Sequence, residues 1–171
     1  MKSIVVALFI AVALSVANAG DEHQHMNRHF PAFDKLMSLV GVWEGKDEQG
    51  NPVRVSYRIV SDSSALMETM DMGEKEGVMI TMYHPDGDAL MVTHYCSMGN
   101  QPRMRCSRPA RDGNTFSFAY VDATNLASPD ADRMEALTIV FRDANHFTQH
   151  WTARMKGELM KPVVFEYARG K

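Results

Sequence analysis

Only two cysteines occur in 171 residues, which allows one disulfide at most, and no Cys-x-x-Cys pair is present. The chain also has no Gly-x-Ser-x-Gly elbow, no His-Glu-x-x-His helix, no phosphate loop and no dinucleotide fingerprint. The commonest hydrolase, zinc-protease and nucleotide-binding chemistries therefore have no local signature here. Charge of one sign is not in excess: 18 basic and 21 acidic residues give a formal net charge of -3, which offers nothing to nucleic-acid phosphates. Past Val16 there is no second long apolar run, no Asn-x-Ser/Thr sequon, no internal repeat and no low-complexity tract.

What is present begins with a three-part leader. Lys2 supplies the positive end, Ile4 to Val16 the apolar run, and Ala17-Asn18-Ala19 a small-x-small cleavage site before Gly20. The run is short for a bilayer span and is followed at once by Asp21 and Glu22. Residues 1–19 are thus expected to be a signal peptide. With no cysteine next to the cut, no lipid anchor is expected, and the mature chain should be soluble in the periplasm or outside the cell. Residues 20–29, with His23, His25 and His29, show no apolar period and read as a flexible arm. Residues 30–171 are enough for one domain burying roughly 70 % of its unfolded surface.

Within that domain Phe30, Phe33, Leu36, Met37 and Val40 recur at helical spacing. Pro31 stands at the first turn and Gly41 where a C-terminal cap belongs, so a short helix is expected. The remainder keeps one rhythm, runs of five to nine residues separated by turn chemistry such as Pro85-Asp86-Gly87 and Asp112-Gly113-Asn114. Val53, Val55, Tyr57 and Ile59 alternate cleanly, as do Phe116, Phe118 and Tyr120, and Val163, Phe165 and Tyr167. The expectation is an all-β fold, an antiparallel meander of about ten strands closing into a barrel, with the helix capping one end. One longer link, Asp122 to Arg133, is expected to be a loop at the barrel mouth.

The cysteines lie on two runs that read as a hairpin. Placing Cys96 opposite Cys106 sets Met98 against Met104 and Gly99 against Arg103, leaving a short loop that ends in Pro102. In an exported chain this pair is expected to form a disulfide, worth roughly 2 to 3 kcal/mol for so short a ring; two buried thiols are the alternative.

A helix followed by Gly41-Val42-Trp43 on the first strand, with Arg169 ending the last, resembles the calycin superfamily of lipocalin-like barrels. The resemblance implies that Trp43 closes the barrel floor and that Arg169 packs over it, a structural pair. Leu39-Val40-Gly41-Val42-Trp43-Glu44-Gly45 and the Cys96 hairpin are similar to a group of exported bacterial lipocalin-like proteins of uncharacterised function. More distantly, the chain resembles the haem-binding nitrobindins, whose iron ligand is a histidine on the last strand. Val163 to Tyr167 contain no histidine, so no haem or other cofactor is expected.

A barrel of this size encloses a pocket. Fourteen methionines, among them Met67, Met70, Met72, Met79, Met82, Met91, Met98 and Met104 in mid-chain, suggest an adaptable apolar wall. The candidate ligand-binding residues are His94, Tyr95, Arg103, Met91, Tyr120 and Trp151. His94 and Glu68 are weak candidates for an acid and base pair; a satisfied core histidine and a solvent-facing glutamate beside Arg54 or Arg58 are the plainer readings. His146 and His150 are four apart, which on a strand separates them by roughly 13 Å, too far for one ion. The function expected is binding of a small, largely apolar or amphipathic molecule. The alternatives are an enzyme using His94 and Glu68, and copper handling by the histidine arm with methionine sulfurs such as those of Met70 and Met72.

Overall fold

The computed structural model describes residues 30–73 and 77–170. The expected signal peptide and histidine arm lie outside the described residues. Helix α1 (Pro31–Met37) precedes β1 (Gly41–Lys46), β2 (Pro52–Val60), β3 (Ala65–Asp71), β4 (Val78–Asp86), β5 (Ala89–Tyr95) and β6 (Gln101–Cys106). After these come β7 (Thr115–Thr124), β8 (Arg133–Phe141), β9 (His146–Met155), the two-residue β10 (Glu158–Leu159) and β11 (Val163–Arg169). Every pairing is antiparallel. The sheet runs β11-β1-β2 and onward in chain order to β8, β8 pairs with β9, and β9 pairs with β11, which closes a ten-strand barrel. β10 is a short flap on the edge of β9.

Alternation of side chains explains closure. Val53, Val55 and Tyr57 of β2, Phe116 and Phe118 of β7, Leu137 and Ile139 of β8, and Phe165 and Tyr167 of β11 all point inward and are buried. Because a strand repeats every two residues, each run can bury one face while the other stays polar. Gly45 is the one interior β1 position where no side chain fits: a Cβ there would stand 2.6 Å from the Tyr167 ring.

One end is sealed. Phe33 and Leu36 of α1, with Leu39, lie buried beside Trp43. The Trp43 indole N–H donates to the Leu39 carbonyl at 2.6 Å, and its ring meets Phe147 edge-on at 4.8 Å. The Arg169 guanidinium lies 4.1 Å above the Trp43 ring and donates to the carbonyls of Ser38, Val40 and Ala144. Gly41 has a different job from the helix cap that its spacing suggests. The helix stops at Met37 with Ser38 as its cap, and Gly41, at φ +125°, opens β1. A Cβ on Gly41 would stand 3.2 Å from Arg169 Nη1.

The β5–β6 hairpin corrects the disulfide. Thr93 faces Arg103 and Leu90 faces Cys106. Cys106 is therefore six residues along its strand from Asn100, the position opposite Cys96, roughly 20 Å away, and both thiols are free and buried. The turn is built nearer the first cysteine: the Cys96 N–H donates to the Asn100 carbonyl and the Gly99 N–H to the Cys96 carbonyl. Asn100 is held by its amide to the Asp132 carbonyl at 2.8 Å. Pro102 is an interior strand residue just past the last β5–β6 pair, where its missing N–H breaks no bond to β5.

Candidate functional site

The barrel interior is polar in the middle. Tyr57, Glu68, Thr81 and His94 are directly opposed in succession across β2, β3, β4 and β5, so inward alternation puts four hydrogen-bonding side chains in one row. Glu68 is fully buried. Its Oε2 accepts from the Tyr83 hydroxyl at 2.6 Å and from the Gln149 amide at 2.7 Å. That amide also donates to the Tyr57 hydroxyl, and Gln149 Oε1 accepts from the Trp151 indole at 3.2 Å. Burial raises the Glu68 pKa, partly offset by the polar hydrogens of Tyr57, Tyr83, Gln149 and Thr81 around it. Burial and the neighbouring Glu68 carboxyl push the Tyr57 and Tyr83 hydroxyls well above their ordinary range. Tyr167 is raised for the same reasons, and its hydroxyl has no partner.

Beyond this row, toward the open end, lies a pocket of about 400 Å³. Met70 and Met72 of β3, Met79 of β4, Met134, Met155 and Met160 line it, with Trp151, Ala153, Val163 and Phe165. Asp47, Gln49 and Lys161 complete the lining. Met160 and Val163 are also exposed, giving the mouth an apolar lip. Such a volume falls at the small end of the range for ligand sites. A larger depression of about 800 Å³ on the outside, edged by Glu44, Lys46, Arg142, Asp143, His146 and Glu166, is a charged fold in the sheet surface that leaves any occupant in water.

His94 joins the two layers. It is 2 % exposed, lines the pocket, and sets its ring 4.6 Å from that of Trp151. Its Nδ1 stands 2.9 Å from Thr81 Oγ1, while Nε2 has no partner. Thr81 sits opposite Glu68, whose Oε1 has no partner, and its hydroxyl is shared with the imidazole alone. A hydroxyl can donate or accept, so this bond fixes the orientation of the ring and aims Nε2 away from Thr81. Burial lowers the His94 pKa to about 4, so the ring is neutral at pH 7. The inner wall thus offers one unpartnered nitrogen of an uncharged imidazole among thioethers and an indole.

Of the residues singled out by sequence, the pocket brings together His94 and Trp151 with Met70 and Met72. Met91 and Tyr95 alternate with His94 and face outward; Tyr95 is exposed. Arg103 is also outside, in a two-pronged ion pair with Asp122, and so does not clamp a ligand. The Tyr120 ring is covered by the Arg133 guanidinium at 4.5 Å and does not line the pocket. Glu68 points inward but lies behind the pocket wall, and the exposed Arg54 and Arg58 are not its partners. His146 pairs with Asp143 on the outside, and His150 bonds to Thr148. Tyr57, Thr81, Tyr83 and Gln149 were not legible as site residues, because each is an ordinary strand residue until the register sets it beside Glu68.

Among the described residues, no group of three or more His, Cys, Asp or Glu side chains is placed to hold a metal ion. Neither a protein-family model nor a curated protein matches this chain.

Proposed function

We propose that the protein is an exported barrel that binds a small, largely apolar molecule in the methionine-lined pocket, with a hydrogen-bonding group of the ligand meeting His94 Nε2. The observation that carries this reading is the buried, unpartnered Nε2 of a neutral imidazole beside Trp151 and the pocket methionines. A buried ring nitrogen without a partner is unfavourable by about 1 to 3 kcal/mol, and a ligand hydroxyl, which can donate or accept, would relieve it. Methionine supplies flexible walls that fit more than one shape. The sealed floor with Trp43 beneath Arg169, the ten-strand meander and the apolar mouth support a calycin-type, lipocalin-like reading.

An enzyme pairing His94 with Glu68 is less well supported. The carboxyl is fully buried behind the wall, and a histidine with a pKa of about 4 is a weak base near neutrality. Titration with an environment-sensitive apolar fluorophore tests the binding reading. Saturable binding by the natural chain, lost in Ala153→Phe, which fills the pocket, supports it. Equal binding by both chains would place the probe elsewhere and count against the pocket.

A further inference from the structure

We propose that the inner corner of the pocket is also a soft-metal site, where His94 Nε2 and the thioether sulfurs of Met70 and Met79 bind one cuprous ion beside the Trp151 ring. The inference goes beyond the organic-ligand reading; it uses the same nitrogen, so the ion and a polar group of the organic molecule compete for His94 Nε2, while the outer methionines stay open to the apolar body. Met70 and Met79 are direct partners across β3 and β4, and both are buried. Thr81 follows Met79 on the same face of β4 and is the direct partner of His94, which makes His94 the diagonal neighbour of Met79. Diagonal neighbours are roughly 7 to 8 Å apart at the backbone, within reach of long side chains. All three line one pocket.

The imidazole is prepared as a ligand. Its Nδ1 is held by Thr81, which orients the ring, and Nε2 is buried without any partner. Outer bonds of this kind fix the orientation of histidines that bind metals. The donor set, one neutral imidazole and two thioethers, is soft and carries no charge, which suits a monovalent cuprous ion and disfavours zinc, magnesium or calcium. Asp47, the acid in the lining, is already occupied by Gln49 and Asn51. The Trp151 ring adds a face or edge against which a cation is stabilised.

The test uses the full mature chain and two probes: silver(I) as a redox-stable stand-in, and cuprous ion in competition with a chromogenic chelator. One equivalent should bind, quench tryptophan emission and shift the His94 Nε2 resonance in nitrogen-15 spectra. Met70→Leu with Met79→Leu should weaken binding more than about tenfold, and Thr81→Val by about tenfold. Trimming residues 20–29 should change nothing. Fluorophore titration of the natural chain is read separately: saturable fluorophore binding by a chain that takes up no silver is failure of this site and not of the binding reading. Silver affinity unaltered by the two leucines, or lost on trimming the arm, would overturn the proposal.

Discussion

At the scale of single residues, neighbours decide what a group can do. The Cys96 and Cys106 thiols are both buried, and burial raises both pKa values, so neither is a ready nucleophile. Alkylation should be slow in the native protein and rapid at both sites after unfolding without reductant. A chain that takes up no label until reduced would contradict this. The sequence showed that the cysteines belong to one hairpin but not their register, because a shift by an even number of residues leaves both on the interior face. His94 carries a second prediction. Its folded pKa of about 4 lies below the ordinary 6.5, so the unfolded chain binds the extra proton first as pH falls. Its contribution is intact above about pH 6.5 and declines toward pH 4, by about 3 kcal/mol in all. Glu68, with a raised pKa, acts in the opposite direction. Melting curves between pH 7 and 4 should therefore fall less for His94→Gln than for the natural chain, and parallel curves would contradict the assignment.

At the scale of elements, the floor depends on one crossing. Arg169 at the end of β11 reaches over Trp43 to three carbonyls, two of them between α1 and β1. Its removal leaves those oxygens to water and unpins the helix from the barrel. Arg169→Ala should lower stability by about 1 to 3 kcal/mol, read by denaturant unfolding. Gly41→Ala should act in the same direction, by about 1 to 3 kcal/mol, since alanine is strained at that φ and its Cβ crowds Nη1. Unchanged midpoints in both variants would dissociate the floor from stability. The strands themselves were legible, because alternation and turn residues are local signals. β4 nevertheless runs through Pro85 and Asp86, expected as turn, and β7 through Asp122 to Thr124, expected as the start of the long loop, as neighbouring strands continue the pairing.

At the scale of the whole molecule, the two ends differ because their sequences do. Aromatics and leucines from α1, β8, β9 and β11 fill the floor, while methionines concentrate at the mouth. Between them the Tyr57, Glu68, Thr81 and His94 row links the core to the pocket, ending in the buried, unpartnered His94 Nε2. Methionine abundance was visible in the sequence, but which sulfurs meet was not. That depends on Met70 facing Met79 and on the β8 irregularity between Met134 and Ala136, a long-range property of closure. Native mass spectrometry of the protein purified from its native host, followed by denaturing release, tests the binding account most directly. A copurified small molecule with an apolar body and a hydrogen-bonding group, absent from Ala153→Phe, is the predicted result; the same molecule retained by Ala153→Phe would contradict it.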